Sequence, residues 1–471
     1  MKEVDKVPSG QQTFNSNKAE KNDRYLIIIT AIVTLGGLLF GINTGVINGL
    51  LPFMAAKNQL NLSPLLQGIV TSSLTLGAAV GALTTGRFAD HYGRKSLLFC
   101  LAILFLISNS GCIFAATASW LIGWRFILGL AVGGVSVVVP TYLSEIATPK
   151  MRGRMITQND LMITSGQLLV FCSNALLGNL LAADHNVWRW MMIIGIIPAL
   201  ILLFGMPAVP ESPRWLLSKK QPTAALANLT KLRGNSQVAA DELQKIQQSV
   251  KQLKTVQTWS WKLLKKPAIR KLFLLGIGLG VIQQLIGINV IMYYGTTILI
   301  ASGFAHQAAL IANISNGVIS VIASLTGMHL MTCWPRRKML LLGIKMTTIS
   351  LGVIDLSALF FNRLTIFPYI VILLVLVFLF FFQSMVSPTT WVIIAEIFPQ
   401  KLRGLGVGIS TFALWLANFG VGLLFPICLH QFGLGLTFFG FFVINLLAYV
   451  FTYRLVPETS NRSLEKVQQN I

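Results

Sequence analysis

Charged residues, cysteine and histidine are all scarce in this chain of 471 residues. Charged side chains make up 11% of it, against about 25% in a typical soluble domain, so an ordinary water-exposed surface is excluded. The five cysteines have no CxxC spacing, which excludes a disulfide framework and a zinc site. The five histidines form no HExxH pattern, and no nucleophile–base pair or phosphate loop is present. These absences argue against an enzyme and against any metal or cofactor.

Acidic residues are the scarcest charges: 15 against 37 Lys and Arg, for a net charge of +22. The placement of the basic residues argues against a nucleic-acid partner, because 33 of the 37 fall in alternate loops or termini. Those segments are 1–24, 87–95, 150–154, 214–271, 336–345, 401–403 and 454–466. By the positive-inside rule, both termini and the long 209–270 segment are expected in the cytoplasm.

Long apolar runs occupy most of the chain, which is 54% hydrophobic. Each is about 20 residues long, enough to cross a bilayer as a helix. The runs are continuous rather than alternating, which favours helices over a β-barrel. We predict an all-α membrane protein with twelve spans, beginning near Leu26, Leu65, Ser96, Leu121, Ile156, Val187, Leu272, Gln307, Leu340, Ile366, Leu405 and Thr437.

A charged block is repeated at about half the chain length. Glu145 and Arg152 recur as Glu396 and Arg403 at an offset of 251 residues, and Pro210-Glu211-Ser212 recurs as Pro457-Glu458-Thr459. Such repeats are typical of a transporter built from two halves. We predict a cytoplasmic tail (1–25), a six-helix bundle (26–208), a cytoplasmic linker with short helices (209–270), a second bundle (271–456) and a cytoplasmic tail (457–471).

Five motifs, in order, carry a family resemblance. They are Gly36-Gly37-Leu38-Leu39-Phe40-Gly41, Gly86-Arg87-x-x-Asp90-x-x-Gly93-Arg94-Lys95, Pro210-Glu211-Ser212-Pro213-Arg214, Gln283-Gln284-x-x-Gly287-x-Asn289 and the two Glu-x6-Arg blocks. With them the chain resembles the sugar-porter family of the major facilitator superfamily over essentially its full length. The resemblance implies twelve helices in two six-helix halves, alternating access, and transport of a neutral hexose or pentose.

The resemblance also implies a cytoplasmic gate of paired charges that joins the two halves. Its candidate residues are Arg87, Asp90, Arg94, Glu145, Arg152, Glu211, Arg214, Glu396, Arg403 and Glu458. The alternative is that these charges only terminate helices and fix topology. The second-half loop, 332–338, lacks the acid and the glycine that the family has there, so we expect the second gate to be weaker.

Polar side chains inside apolar spans are candidates for substrate binding. Burying one in the membrane costs free energy unless it has a hydrogen-bonding partner. Amides can donate hydrogen bonds to hydroxyl groups and accept them, and indole rings can stack on a sugar ring. The candidates are Phe40, Gln167, Gln283, Gln284, Asn289, Tyr293, Asn316, Gln383, Trp391, Trp415 and Asn418. Positions 283, 286, 290 and 293 follow one helical face, and Gly276, Gly278, Gly280 and Gly287 are expected to loosen the helix nearby. For any single amide, the alternative is a bond that holds two helices together.

Asn43 stands where proton-coupled sugar porters usually have Asp, opposite Arg125. A carboxamide does not titrate, so we expect downhill uniport. Proton symport through Asp160 or Asp355 is the alternative; a membrane sugar sensor without transport is less favoured, because the tails are short. The expected partners are a small neutral sugar and the lipid bilayer, with protons only in symport. We expect a monomer with many spans in the plasma membrane of a bacterium.

Overall fold

The computed structural model describes residues 9–148, 151–254, 267–361, 364–399 and 402–460, and in these ranges the regular structure is helical. The first half contains α1 (Ser9–Met54), α2 (Pro64–Tyr92), α3 (Arg94–Ile113), α4 (Ala118–Ile146), α5 (Arg152–Leu180), α6 (Val187–Ile193) and α7 (Ile196–Gly205). The segment between the halves contains α8 (Pro213–Ser218), α9 (Pro222–Arg233) and α10 (Ser236–Lys254). The second half contains α11 (Pro267–Leu285), α12 (Ile288–Ser302), α13 (His306–Ala312), α14 (Ile314–Cys333), α15 (Arg336–Phe360), α16 (Phe367–Phe381), α17 (Ser387–Ile397) and α18 (Arg403–Leu455).

Within the described residues, eleven helical segments are long and apolar enough to cross a membrane. The last, Gly404–Leu455, has 52 residues. At 1.5 Å per residue it would be ~78 Å long, far more than the ~30 Å hydrocarbon core. Its backbone leaves the helical region at Gly433, with φ 70° and ψ −177°. The two predicted spans that begin near Leu405 and Thr437 are therefore joined at a kink, which gives twelve crossings.

Small residues let the helices of the first half pack backbone to backbone. A Cβ at Gly41 of α1 would collide with the Ile163 carbonyl of α5, and one at Gly166 of α5 would collide with the Leu38 carbonyl of α1. Close approach through glycine is a common way to associate helices in lipid, where the hydrophobic effect does not drive association. The reciprocal glycines hold α1 against α5 and so fix the positions of the polar residues between them.

The two halves meet at the helix ends that lie away from the basic loops. A Cβ at Gly68, near the start of α2, would collide with the Leu423 carbonyl in the second half. The Phe53 ring at the end of α1 lies 4.4 Å from the His306 ring of α13, centroid to centroid. Nearer the middle, Gly317 of α14 packs on Leu168 of α5. The polar residues of the spans therefore lie beneath a closed contact between the halves.

An arginine and a tryptophan help to attach the helices between the halves to the first half: Trp215 of α8 donates to the Asp90 carbonyl at 3.0 Å. Arg233 pairs with Glu242 through Nε and Oε2 at 2.7 Å, and its Nη1 donates to the Ile146 carbonyl at 3.0 Å. Ile146 is the last residue of α4, where a helix leaves carbonyls without helical partners. Arg233 therefore caps α4 and holds α9 and α10 at the same end of the bundle as Glu145.

Candidate functional site

A break between α11 and α12 positions the predicted glutamine group. Gly287 has a φ of 107°, a left-handed conformation that side chains disfavour, and it separates Leu285 from Ile288. The predicted single face through positions 283 to 293 is therefore wrong, because the helix is interrupted at its centre. Asn289 donates a short hydrogen bond to Gln284 across the break. Gln283 is buried beside them.

A second group of candidates connects α12, α18 and α1. Asn418 Nδ2 donates to the Tyr293 hydroxyl oxygen at 3.1 Å. Trp415 lies one turn before Asn418, and its ring meets Phe40 edge-on at 6.0 Å between centroids. Tyr293, Asn418 and Trp415 are all buried. Residues far apart in the sequence thus form one contiguous surface with both aromatic faces and amides.

Gln167 of α5 and Asn316 of α14 join this surface from the other side. Their sequence neighbours Leu168 and Gly317 are in direct contact, and the Gln167 backbone packs on Gly41, next to Phe40. Asn316 Nδ2 donates to Asn313 Oδ1 at 2.7 Å. Gln283 and Gln284 join from α11 through the bond between Gln284 and Asn289. The structure therefore brings candidates from six helices, α1, α5, α11, α12, α14 and α18, around a common interior.

Four buried amide oxygens of this group have no hydrogen-bond partner among the described residues. They are Oε1 of Gln167, Oε1 of Gln283, Oδ1 of Asn316 and Oδ1 of Asn418. A buried acceptor without a partner costs about 1–3 kcal/mol, so four in one region require an explanation. A small molecule with several hydroxyl donors would satisfy them. An ionised carboxylate would not, because it offers only acceptors.

Gln383 and Trp391 lie on the span that contains Pro388. A π-helical turn, Phe382–Val386, follows α16, and Pro388 stands in the first turn of α17. Such turns are frequent at functional sites. Gln383 is half-buried and Trp391 is exposed over 41% of its surface. Neither hydrogen-bonds to the amide group in the part of the chain described.

Asn43 and Arg125 are both buried, but no hydrogen bond joins them in the described structure. Asn43 Nδ2 donates to the Leu39 carbonyl of its own helix at 2.8 Å. Arg125 Nε donates to the Val70 carbonyl at 2.7 Å, while its Nη1 has no partner among the described residues. Arg125 thus hydrogen-bonds to a backbone carbonyl rather than to a carboxylate.

The two alternative carboxylates have different surroundings. Asp160 is exposed, although it lies inside a candidate span. It precedes Gln167 by seven residues, about two helical turns, so both share one face of α5. Asp355 is half-buried on α15 with its Oδ1 close to Gly435, beyond the Gly433 kink. Asp160 is therefore the carboxylate on the helix face of the amide group.

In the first half, the predicted gate charges form a connected cluster. Arg94 Nη2 lies 3.1 Å from Glu145 Oε1 and 3.0 Å from Asp90 Oδ1. Glu211 Oε1 accepts from the backbone N–H groups of Arg94 and Lys95 at 3.0 and 3.2 Å. The carboxylate of Glu211 thus caps the start of α3, where the helix dipole favours negative charge. Arg87 and Arg214 are exposed at the edge of this cluster.

The second half repeats the arrangement with different residues. Arg336 Nη2 lies 3.0 Å from Glu396 Oε1. Glu458 accepts from the backbone N–H groups of Arg336 and Arg337, each at 3.1 Å, and so caps α15. The ion pairs seen here lie within each half rather than between the halves. The side chains of Arg152 and Arg403 lie outside the described residues, as do tail residues 1–8 and 461–471.

Two functional candidates were missed by reasoning from the sequence. Arg336 was passed over because its loop lacks the acid and glycine of the first-half motif. Asn48 was passed over although it is a polar residue inside a span, which is the signal that could have found it. Asn48 is buried and contacts α12 of the other half.

Interior amides without partners, a broken helix beside them and a twofold repeat define a secondary transporter of many spans. The chain matches the family model "Sugar (and other) transporter" over residues 29–471. It is 46% identical to the major myo-inositol transporter IolT of Bacillus subtilis, covering 96% of both chains. It is 36% identical to the arabinose-proton symporter of the same organism, covering 94% of this chain and 95% of that protein.

Among solved structures, the chain resembles a partially occluded, inward-open conformation of the xylose transporter XylE from E. coli. The TM-score is 0.81 at 27% identity, covering 93% of this chain and 100% of that one. The chain therefore belongs to the sugar transporter family of the major facilitator superfamily. The predicted all-α major facilitator fold and the family are confirmed, and the protein is a sugar transporter rather than an enzyme. The cytoplasmic placement of the linker stays a prediction.

Proposed function

We propose that this transporter carries a neutral ring polyol of monosaccharide size down its concentration gradient. The main supporting observation is that amide oxygens on Gln167, Gln283, Asn316 and Asn418 have no partner among the described residues. They call for a ligand with several hydrogen-bond donors, such as the hydroxyl groups of a sugar. Trp415 and Phe40 supply apolar ring faces beside them. The gate clusters at the basic end would open and close the cytoplasmic mouth.

The amide at position 43 supports uniport. The Asn43 side-chain nitrogen donates to the Leu39 carbonyl of its own helix, and a carboxamide cannot take up or release a proton. Arg125 keeps a fixed charge next to Val70. On this proposal, neither Asn43 nor Arg125 changes its charge during a transport cycle. We further propose the plasma membrane as the location, with both termini in the cytoplasm, from the distribution of basic loops.

The substrate class is tested by counterflow in liposomes that contain the purified protein. The panel is xylose, arabinose, glucose, galactose and myo-inositol; the last is included because the relative at 46% identity is a myo-inositol transporter. We expect at least one neutral polyol to drive counterflow, and a charged derivative of it, such as its phosphate or acid, to fail. Counterflow with none of them would favour the sensor alternative.

Symport is the second candidate, and the position of Asp160 is the observation that favours it. This carboxylate is exposed on the face of α5 that also carries Gln167, and a relative at 36% identity is a proton symporter. In that case Asp160→Asn would abolish accumulation against a gradient but leave counterflow. Under uniport, neither the wild type nor the variant would accumulate substrate.

A further inference from the structure

The break at Gly287 takes the helical partner away from one backbone carbonyl. In a continuous helix the Ile286 carbonyl would accept from the N–H group of Val290, four residues later. Here the Val290 N–H donates to the Gly287 carbonyl instead, at 3.2 Å. Ile286 is completely buried, and a buried carbonyl without a donor is unfavourable. The break therefore needs a hydrogen-bond donor from elsewhere in the fold.

Asn445, on the part of α18 that follows the Gly433 kink, supplies this donor. Its Nδ2 donates to the Ile286 carbonyl at 3.0 Å and to the Phe441 carbonyl of its own helix at 2.8 Å. A side-chain amide nitrogen carries two protons, so these two bonds use both. The Phe441 ring lies against Gly287, where a Cβ would be 3.1 Å from its Cδ1. One turn of α18 thus contacts the break through both a hydrogen bond and an aromatic ring.

A third helix orients the Asn445 side chain. The Thr347 hydroxyl oxygen of α15 lies 3.1 Å from Asn445 Oδ1 and 2.9 Å from the Ile344 carbonyl. Thr347 and Asn445 are completely buried, so these bonds are shielded from solvent. Hydrogen bonds in such a low-dielectric interior are electrostatically stronger than those at a surface. A buried network therefore runs from α15 through α18 to the break.

The break in turn aligns the amide group of the candidate site. Gln283 and Gln284 lie in the last turn of α11, just before Ile286. Gln284 accepts from Asn289 across the break. A shift of the Ile286 carbonyl would therefore change how these amides face each other. No hydrogen bond joins Asn445 to them in the described structure, so its influence on them passes through the backbone.

We propose that Asn445, oriented by Thr347, is a positioning residue that fixes the break between α11 and α12 and keeps the amide group aligned for substrate. Without it the Ile286 carbonyl would be unpaired, and the segment around Gly287 would adopt other backbone conformations. The alternative is that Asn445 only holds neighbouring helices together. The proposal rests on the protein being a transporter, but not on which polyol it carries or whether protons take part.

The first test follows hydrogen–deuterium exchange of the purified protein by mass spectrometry, without substrate. Asn445→Ala removes the donor to the Ile286 carbonyl. We expect exchange in residues 285–291 to become about 5- to 30-fold faster, the factor for one or two kcal/mol. Exchange in α4 should stay within twofold of the parent. Unchanged exchange at the break would overturn the proposal, and so would equal acceleration in α4, which is what a general loss of packing produces.

Thr347→Val and Thr348→Val form a matched pair of variants. The two threonines are buried neighbours on α15, and their hydroxyl oxygens lie 2.9 and 2.7 Å from the same Ile344 carbonyl. Thr347 also reaches Asn445. We expect Thr347→Val to accelerate exchange at the break by about 2- to 12-fold, the factor for one hydrogen bond. Thr348→Val, and Thr347→Ser, which keeps the hydroxyl, should stay near the parent rate.

This pair keeps the test decisive if Asn445→Ala does not fold. Both valine variants remove a hydroxyl beside the Ile344 carbonyl, so a difference between them reports the contact of Thr347 with Asn445. Equal exchange at the break in Thr347→Val and Thr348→Val would overturn the proposal.

Counterflow then separates positioning from a purely structural role. With a polyol that the panel identifies, we expect Asn445→Ala to raise KM by about 2- to 12-fold, while the maximal rate per folded transporter stays within twofold. A structural role alone would lower the amount of folded protein and leave KM at the parent value, and that result would contradict positioning. If no polyol of the panel is transported, the exchange measurements still decide the proposal. Its failure is thus distinguishable from a failure of the proposed function.

Discussion

In the first half, Arg94 pairs with both Glu145 and Asp90, whereas in the second half the described partner of Arg336 is Glu396. Thr332 stands four residues before Arg336, where Asp90 stands before Arg94. The first pair is also more enclosed: the side chains of Arg94 and Glu145 are each 11% exposed, against 23% and 28% for Arg336 and Glu396. A duplicated motif has therefore kept its geometry while the environments of its charges have diverged.

The interior is compared through its buried amide oxygens that have no partner among the described residues. They divide evenly between the halves: Asn159, Gln167 and Asn174 in the first, Gln283, Asn316 and Asn418 in the second. Of the four that belong to predicted substrate-binding residues, however, three lie in the second half. If the substrate binds at those residues, the second half supplies most of its amide acceptors, whereas the more enclosed gate charges belong to the first half.

The largest expected effect is the difference in stability loss when each of the two ion pairs is broken. Glu145→Gln leaves an enclosed Arg94 with the exposed Asp90 as its described carboxylate partner, and breaking a buried pair typically costs about 3–5 kcal/mol. Glu396→Gln breaks a more exposed pair, for which about 1 kcal/mol is expected. The measurement is the fraction of monodisperse protein that survives heating in detergent. Equal losses for the two variants would contradict the proposed difference between the gates.

The next largest effect concerns substrate binding by residues of the second half. Gln283→Ala removes one amide of the site, and the loss of a neutral hydrogen bond of about 0.5–1.5 kcal/mol corresponds to about a 2- to 12-fold rise in KM. Counterflow at varied substrate concentration measures it. Asn109→Ala is the control, because Asn109 is a buried amide that donates to the Phe105 carbonyl of its own helix. If both variants raise KM equally, Gln283 acts through packing.

The smallest effect is expected when the residues that distinguish the two loops, Asp90 and Thr332, are exchanged. Thr332→Asp supplies Arg336 with a carboxylate four residues before it, and Asp90→Thr removes the matching one from Arg94. Because Asp90 is 75% exposed, each change should alter stability by only about 0.3–0.5 kcal/mol, upward for the first and downward for the second. The same heating assay, at low and high salt, measures both. High salt should reduce the two differences.

The sequence predicted the spans and the paired motifs because both are local signals. Apolar length predicts a crossing, and the glutamates keep their spacing from the arginines. Sequence reasoning failed where backbone geometry compensates for a lost residue. Pro335 has a φ of −63° where Gly93 has 95°, yet both precede a helix whose first two N–H groups bind a carboxylate. The carboxylate binds the N–H groups of the two residues that follow Gly93 or Pro335. Proline lacks only its own N–H group, which this contact does not use.

The contacts of Asn48 could not be predicted either, since they join residues about 245 positions apart. A lone asparagine in a span fits either a bond between helices or a functional site, and only the fold shows what it meets. The break at Gly287 is similar: a glycine in an apolar run does not reveal a left-handed φ. Consequently the members of the amide group could be predicted, but not how they are arranged.

The central claim, that a neutral polyol crosses without a proton, is tested most directly in liposomes that contain a pH indicator. A substrate identified by counterflow is added outside, with no initial proton gradient. We expect substrate to enter until its concentrations are equal and the external pH to stay constant, because Asn43 does not titrate. Alkalinisation of the external medium upon addition of substrate, or accumulation of substrate when an inward proton gradient is imposed, would contradict uniport and assign coupling to another group such as Asp160.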